Sequence, residues 1–278
     1  MRDFVAQGTE ALAAAGVPSP VREARRLLSL AAGSPAAVLG PAERVPLCVG
    51  RRYRLLLAER MRRVPFSLIA GETGFLDFDL AVGPGVFIPR PETEELAERA
   101  IAVLRSLPPR SLVLDLGTGS GALALALARA RSDVSVIAVE RSPRALACAR
   151  RNVRRLGLVG RVEVRRSDWF SHVWERFHLI VANPPYVARP ELASLDPEVR
   201  RYEPRRALDG GPDGLAAIRS IVASAPEHLV AGGTILIEIG DGQGERVLRF
   251  ARRVTSLVET RVERDLRGRE RFFSGRCG

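Results

Sequence analysis

Residues 182–190 read ANPPYVARP and follow directly on the apolar, β-branched run FHLIV. That run predicts a buried strand, so Asn183, Pro184, Pro185 and Tyr186 leave its C-terminal edge in a loop. In an open α/β sheet this edge is where ligands bind. A planar nitrogen, in a carboxamide or a nucleobase, is a poor nucleophile because its lone pair is delocalised into the adjoining π-system. Two acceptors change this. The Asn183 side-chain oxygen and the Pro184 carbonyl, each taking one N–H, hold such a nitrogen in place and draw electron density onto it. Pro184 and Pro185 lock φ and aim that carbonyl, while the Tyr186 ring covers the planar group. Rigid placement of two reactants substitutes for strong base catalysis. Taken alone, the four residues also suit a stiff strand exit without chemistry.

A second stretch, VLDLGTGSGALAL at residues 113–125, reads as strand, glycine turn and helix. It contains Asp115, Gly117, Thr118, Gly119, Ser120 and Gly121, and its glycines remove side chains where backbone must approach a bound nucleotide. GTGSGA also satisfies the dinucleotide pattern G-x-G-x-x-G/A, so this stretch alone leaves an NAD enzyme open. Glu140 ends the next strand, 19 residues after Gly121, where an acid accepts from both hydroxyls of a ribose; the alternative is a surface carboxylate. Asp168 and Trp169 follow a third strand. The acid suits the amine of adenine and the ring a flat wall, although a Trp packed for structure fits the same pattern.

The elements that must position these residues alternate from about residue 111. SLVLDL, VSVIAVE, RVEVRR and FHLIVA read as strands, with helices in ALALALARA and PRALACARRNVRRLG. Further on come the helix GLAAIRSIVASAPEHLV, the strand GTILIEIG, the helix GERVLRFARRV and two late strand-like pieces, SLVETRVER and RFFSGR. This predicts an α/β fold with a doubly wound, Rossmann-like sheet and right-handed crossovers. Residues 1–70 read as helices only, a small bundle for docking or stability, with Ser19 as a cap and Pro20 at the first position of a helix over 19–33. Residues 71–90 form a linker with a β-hairpin, the imperfect alternation of Phe75, Leu76, Phe78, Leu80 and Val82 being followed by a turn signal at Gly83–Gly85. The main domain is expected over 91–278, entered by a helix that Thr93 caps. The segment from 187 to 213 is long for a loop in a compact domain, and such loops are usually functional.

The chain of 278 residues, 46% apolar, is enough to bury a core. It lacks the long apolar run of a membrane span, and MRDFVAQGTE lacks the basic start and apolar core of a signal peptide, so a cytoplasmic protein is expected. Cys48, Cys148 and Cys277 have neither zinc-site spacing nor an even count, and are read as plain thiols. The net charge of +11 invites a nucleic-acid reading. Yet all 43 basic residues are Arg, and they are spread along the chain at helical spacing, which fits compositional bias and solvated helix faces.

Asp115, the glycine turn, Glu140 and NPPY together resemble a class I methyltransferase that uses S-adenosylmethionine and modifies a planar nitrogen. Within that superfamily FIPRPETEEL, DLGTGSGALALALA, ANPPYV, YEPRRALDGGPDGL and EIGDGQG resemble the protein-(glutamine-N5) methyltransferases of peptide chain release factors. The likeness extends over nearly the whole chain, with one departure, RRVPFSLIAGETGF, where the family commonly carries a Gln-Tyr-Ile stretch. NPPY alone is shared with adenine-N6 DNA methyltransferases.

The resemblance implies methyl transfer from S-adenosylmethionine, leaving S-adenosylhomocysteine, to the amide nitrogen of the glutamine in the Gly-Gly-Gln motif of class 1 release factors. No metal is implied. It assigns Asn183 and the Pro184 carbonyl to amide binding and Pro185 and Tyr186 to the pocket wall. Cofactor binding falls to Asp115, Gly117, Thr118, Gly119, Ser120, Gly121, Glu140, Asp168, Trp169 and Asn183, while Arg90 and Glu92 shape a lid. The release factor is the expected partner of a monomer with no nucleic-acid substrate. The alternatives are a glutamine methyltransferase of a ribosomal protein, an adenine-N6 nucleic-acid methyltransferase, and a basic ribosome-binding protein without catalysis. An NAD dehydrogenase is disfavoured because nothing after the fourth strand supplies a partner for hydride transfer.

Overall fold

The computed structural model describes residues 2–33 and 45–278. They divide into two compact units: the residues up to Glu72 together with Asp196–Tyr202, and Thr73–Leu195 together with Glu203–Gly278. No helix among the described residues is long and apolar enough to cross a membrane.

The first unit holds α1 (Arg2–Ala14), α2 (Pro20–Ala32), α3 (Leu47–Met61) and α4 (Phe66–Ala70). The apolar period of α2 buries Ala24, Leu27, Leu28 and Ala31, which pack with Leu12, Val17 and Tyr53 as a small core. Pro20 stands at the helix start as expected. Ser19 does not cap through its side chain; it lies in the left-handed region (φ 51°), and its carbonyl accepts the Glu23 N–H at 3.1 Å.

The second unit begins at Thr73, inside the first strand of a hairpin of β1 (Glu72–Phe75) and β2 (Phe78–Ala81). Its reversal is at Leu76–Asp77 and not at Gly83–Gly85, which follow the second strand. Leu76 takes a left-handed φ of 50°, and its N–H is held at 3.1 Å by Glu94 Oε1. This anchor offsets the cost of a conformation that glycine adopts more readily. Glu94 lies on α5 (Pro91–Ser106), flanked at its start by Arg90. Thr93 is therefore inside the first turn instead of capping it, and is 4% exposed.

There follow β3 (Leu112–Leu116), α6 (Ala122–Ala130), β4 (Ser135–Glu140), α7 (Pro143–Arg155), β5 (Val162–Arg166) and β6 (Phe177–Ala182). The segment after β6, read from sequence as a loop, contains α8 (Pro197–Tyr202), which clusters with the helices of the first unit. Glu198 of α8 accepts from Arg63 Nε at 2.6 Å and from Arg60 Nη1 at 3.1 Å. Arg60 Nε in turn donates to Glu23 at 2.9 Å. Arg60 and Glu23 are buried, so each charge needs the others, and removing one would leave an uncompensated ion.

The chain ends with α9 (Ala216–Ser224), β7 (Leu229–Glu238), α10 (Gly244–Val254), β8 (Leu257–Arg264) and β9 (Glu270–Cys277). The seven-stranded sheet runs β5-β4-β3-β6-β7-β9-β8. Its strands are parallel except β9, which is antiparallel to both neighbours. Alternate residues of the inner strands serve two cores: Val113, Val136 and Ala138 pack with α5 and α6, while Leu114, Ile137 and Val139 pack with α9 and α10. Burial on both faces explains why these strands read as continuous apolar runs. The doubly wound fold expected from the sequence is the one observed.

Candidate active site

The strand order reverses between β3 and β6, and such a switch point, beyond the C-terminal ends of the strands, is where open α/β sheets bind ligands. Register aligns Leu116 with both Val139 and Ala182, and Ala182 with Ile237. The glycine turn, Glu140, Asn183 and Glu238 consequently emerge along one edge of the sheet. One wall follows β3 and β4; the other follows β6 and β7.

The first wall is largely backbone. Gly117, Gly119 and Gly121 have φ of 72°, 59° and 93°, a left-handed run that side chains would strain. Gly117 and Thr118 both donate to the Val139 carbonyl, at 2.9 and 3.0 Å. Glu140 accepts from Gly119 N–H at 3.1 Å and Ser142 N–H at 2.8 Å, so its carboxylate lies against the turn. Beneath it Asp115, 1% exposed, accepts through Oδ2 from the Thr118 hydroxyl (2.5 Å) and Ala124 N–H (3.1 Å). Asp115 Oδ1 is buried without a partner among the described residues. Burial pushes this carboxyl up to about 7, against the pull of its two hydrogen bonds, and Glu140 adds to the rise.

Trp169 lies close to the turn; a β-carbon on Gly117 would sit 3.3 Å from its ring. Trp169 also packs against the α9–α10 core, so its structural role is visible too. Asp168 is exposed and 3.6 Å from Arg141. Ser120 contributes its carbonyl, which accepts from Asn152 Nδ2 at 2.8 Å. Asn152, wholly buried on α7, also exchanges two hydrogen bonds with the Ala81 backbone (2.9 and 3.0 Å), tying the hairpin to the glycine turn.

The second wall is built from side chains. Asn183 Nδ2 donates to Thr93 Oγ1 at 2.9 Å, and Thr93 donates to Glu238 Oε2 at 3.1 Å. Tyr186 donates to the other oxygen of Glu238 at 3.0 Å. With Nδ2 so engaged, Asn183 turns Oδ1 to the opposite side of its carboxamide. Glu238 is 0% exposed, and burial pushes its carboxyl up to about 7 although Tyr186, Thr93 and Arg271 favour the ionised form. The Tyr186 hydroxyl is raised by its own burial and by Glu238.

Backbone contacts hold the same loop. Gln243 Nε2 donates to the Tyr186 carbonyl at 2.9 Å, and its Oε1 accepts from Gly240 at 2.8 Å. A β-carbon on Gly214 would lie 2.4 Å from the Tyr186 carbonyl oxygen, and one on Gly210 2.8 Å from that of Pro185. Glu203 binds Arg90 and, at 3.5 Å, the Ile88 N–H. Glu92 accepts from Arg269 at 2.6 Å. Thr93, Gly210, Gly214, Glu238 and Gln243, distant in sequence, thus converge on Asn183–Tyr186. Sequence reasoning gave no role to Glu238, Gln243, Asn152 or Glu203; Glu238 and Gln243 lie in EIGDGQG and Glu203 in YEPRRALDGGPDGL, stretches that carried the resemblance, whereas Asn152 left no local mark.

Comparison with known proteins accounts for both units. Residues 84–195 match the methyltransferase small domain, and residues 3–71 match the PrmC N-terminal domain. The release factor glutamine methyltransferase of Cereibacter sphaeroides is 43% identical over 267 residues, covering 95% of this chain and 94% of its own. That of Mycolicibacterium smegmatis is 40% identical, covering 99% of this chain and 96% of its own. The chain belongs to the release factor glutamine methyltransferase family.

The fold is shared more widely. A ribosomal protein L11 methylase from Lactobacillus delbrueckii subsp. bulgaricus superposes with a TM-score of 0.52 at 21% identity, over 71% of this chain and 84% of its own. As a member of its family the protein is an S-adenosylmethionine-dependent methyltransferase, and the NAD and non-catalytic readings fall. The first wall fits that cofactor: a turn with glycine at 117, 119 and 121, Glu140 at its rim and an unpartnered buried acceptor on Asp115 stand together.

Proposed function

We propose that the protein methylates the side-chain amide nitrogen of the glutamine in the Gly-Gly-Gln motif of class 1 release factors, in the cytoplasm and as a monomer, and so modulates translation termination. The observation that carries the reading is the fixed carboxamide of Asn183, whose Nδ2 is engaged by Thr93 and whose Oδ1 faces the other way.

Bound S-adenosylmethionine supplies an electrophilic methyl group. The chain's residues do the rest by placement. Asn183 Oδ1 and the Pro184 carbonyl accept the two N–H groups of the glutamine amide, and Pro185 and Tyr186 wall its plane. Asp115, the turn from Gly117 to Gly121, Glu140, Asp168 and Trp169 hold the cofactor, with Asn183 at the junction. Residues 1–70 grip the release factor away from the glutamine, because a tripeptide offers too little surface for specificity. No nucleic acid is a substrate in this reading.

The test is methyl transfer from radiolabelled S-adenosylmethionine to a class 1 release factor, ribosomal proteins and duplex DNA side by side, with mass spectrometry locating the label. Label on the Gly-Gly-Gln glutamine is the expected result. Label confined to ribosomal protein or DNA overturns the substrate while leaving the pocket chemistry intact.

A further inference from the structure

Glu238 places a carboxylate at the end of an apolar strand, wholly out of solvent, where an ion is costly unless its hydrogen bonds do something for the fold or the reaction. Three groups from distant parts of the chain meet there. Thr93 on α5 donates to Oε2, Tyr186 donates to Oε1, and Thr93 Oγ1 itself receives Asn183 Nδ2. We propose that Glu238 is a positioning residue for methyl transfer: as a group that only accepts hydrogen bonds, it dictates through Thr93 which face of the Asn183 carboxamide meets the substrate. The inference rests on the assignment of Asn183 to amide binding made above.

The order of donors and acceptors follows from a count of hydrogens. An ionised carboxylate has none, so both of its oxygens accept. The single hydroxyl hydrogen of Thr93 must then point to Oε2, which leaves the Thr93 oxygen able only to accept from Asn183. The one part of that side chain carrying hydrogens is Nδ2, so Oδ1 is turned away from Thr93. A proton on Oε2 reverses the order. Glu238 would donate to Thr93, Thr93 would donate to Asn183 Oδ1, and the carboxamide would rotate to present Nδ2. An NH₂ group would then oppose the NH₂ of the incoming amide, donor against donor.

Every charged or titratable group facing Glu238 bears on that choice. Arg271 on β9 favours the ionised form, Glu92 on α5 opposes it, and Tyr186 hydrogen-bonds to it. Glu92 is itself paired with Arg269. Burial wins, raising the carboxyl to about 7, so the productive order fills as pH rises through that value and empties as pH falls.

The experiment is steady-state kinetics of the full chain with a release factor and S-adenosylmethionine from pH 6 to 9, comparing wild type, Glu238→Gln, Thr93→Val, Thr93→Ser and Asn183→Ala. Glu238→Gln offers Thr93 an acceptor in only one of its two amide orientations, with Nε2 turned to the Tyr186 oxygen, so it should lower kcat by no more than about 100-fold, the scale of losing one oriented partner at a reacting group, with KM for the cofactor nearly unchanged. Wild-type kcat should rise through about pH 7, whereas the Gln variant should be flat. Thr93→Val should resemble Glu238→Gln, and Thr93→Ser should restore turnover. This Thr93 pair also decides the matter if Glu238→Gln does not fold. Wild-type kcat in Thr93→Val, or an unchanged pH profile in Glu238→Gln, overturns the proposal. Asn183→Ala separates the two failures: if it keeps turnover, the amide-binding assignment falls and this inference with it; if it is inactive while Glu238→Gln and Thr93→Val match wild type, only the role of Glu238 is refuted.

Discussion

Two buried carboxylates stand at the ends of neighbouring parts of one sheet, Asp115 on β3 and Glu238 on β7, and both are raised by burial to about 7. Asp115 holds backbone, through Ala124 N–H, and the Thr118 hydroxyl within one local strand–turn–helix unit. Glu238 holds side chains whose positions in sequence lie 145 and 52 residues away. The same group therefore builds two kinds of wall. A wall of backbone is fixed by local conformation and suits a ligand whose shape does not change; a wall of side chains is fixed by remote partners and can orient one reacting amide.

The sharpest test of that division is Asn183→Ala. It removes the acceptor on the side-chain wall and leaves the backbone wall untouched. Turnover should fall by about 1,000-fold, the upper scale for one oriented group at a reacting centre, while calorimetric affinity for S-adenosylmethionine should change by only a few-fold. Near-normal turnover would erase the distinction between the walls.

Asp115→Ala is the complementary case. It strips the acceptor from Thr118 and Ala124, leaving two buried donors unpaired, so cofactor Kd should rise about ten- to a hundred-fold, matching a loss of ~1–3 kcal/mol. Saturating the cofactor should recover most of kcat. A variant that binds the cofactor normally but turns over slowly would show that Asp115 belongs with Glu238 after all.

Gly214→Ala tests how the side-chain wall is supported from behind. A β-carbon there would lie 2.4 Å from the Tyr186 carbonyl oxygen and 2.6 Å from Gln243 Nε2, at a φ of 77°. The expected loss is ~1–3 kcal/mol of unfolding free energy, with kcat down by about ten-fold because Tyr186 is displaced. Gly119→Ala meets no protein atom nearer than 3.9 Å, so its cost in stability should come from φ alone, while its β-carbon intrudes on the cofactor side of the turn and should raise cofactor Kd; equal losses of kcat at the two sites with cofactor saturating would deny any role to the contact with Tyr186.

How much of this was legible in the sequence follows the same line. The backbone wall is local: DLGTGSG carries its strand, turn and helix within a dozen residues, so periodicity and glycine spacing reveal it. NPPY announces itself by composition. Thr93 was misplaced as a cap because Pro91 starts the helix earlier, and the hairpin turn was misplaced because Leu76, held by Glu94, takes a conformation expected of glycine. Asn152 joins residues 71 and 32 positions away, and no local pattern signals such a partner. Glu198 is a further case, since α8 lies in a loop of the later sequence yet completes a charge cluster with Arg60 and Arg63.

The smallest effect concerns the shared property of the two carboxylates. Both have a folded pKa raised above the ordinary carboxylate range, so each favours the fold most when protonated. Their contribution to stability is fully present below about pH 4 and is lost as pH rises through about 7. Asp133 and Glu175, each held at about 2 by an Arg, act in the opposite sense and matter only toward strong acid. Between pH 5 and 8.5 the buried pair should therefore dominate the slope, and denaturant unfolding should show wild type losing stability over that interval. Glu238→Gln should lose less, by on the order of 2 kcal/mol, and should be the more stable protein at pH 8.5. The same change is expected to cost activity, so the charge that orders Asn183 is one the fold disfavours, a trade common at reacting centres. If the variant declines with pH as steeply as wild type, the ionisation of Glu238 is not what the fold resists, and the contrast between the walls must rest on geometry alone.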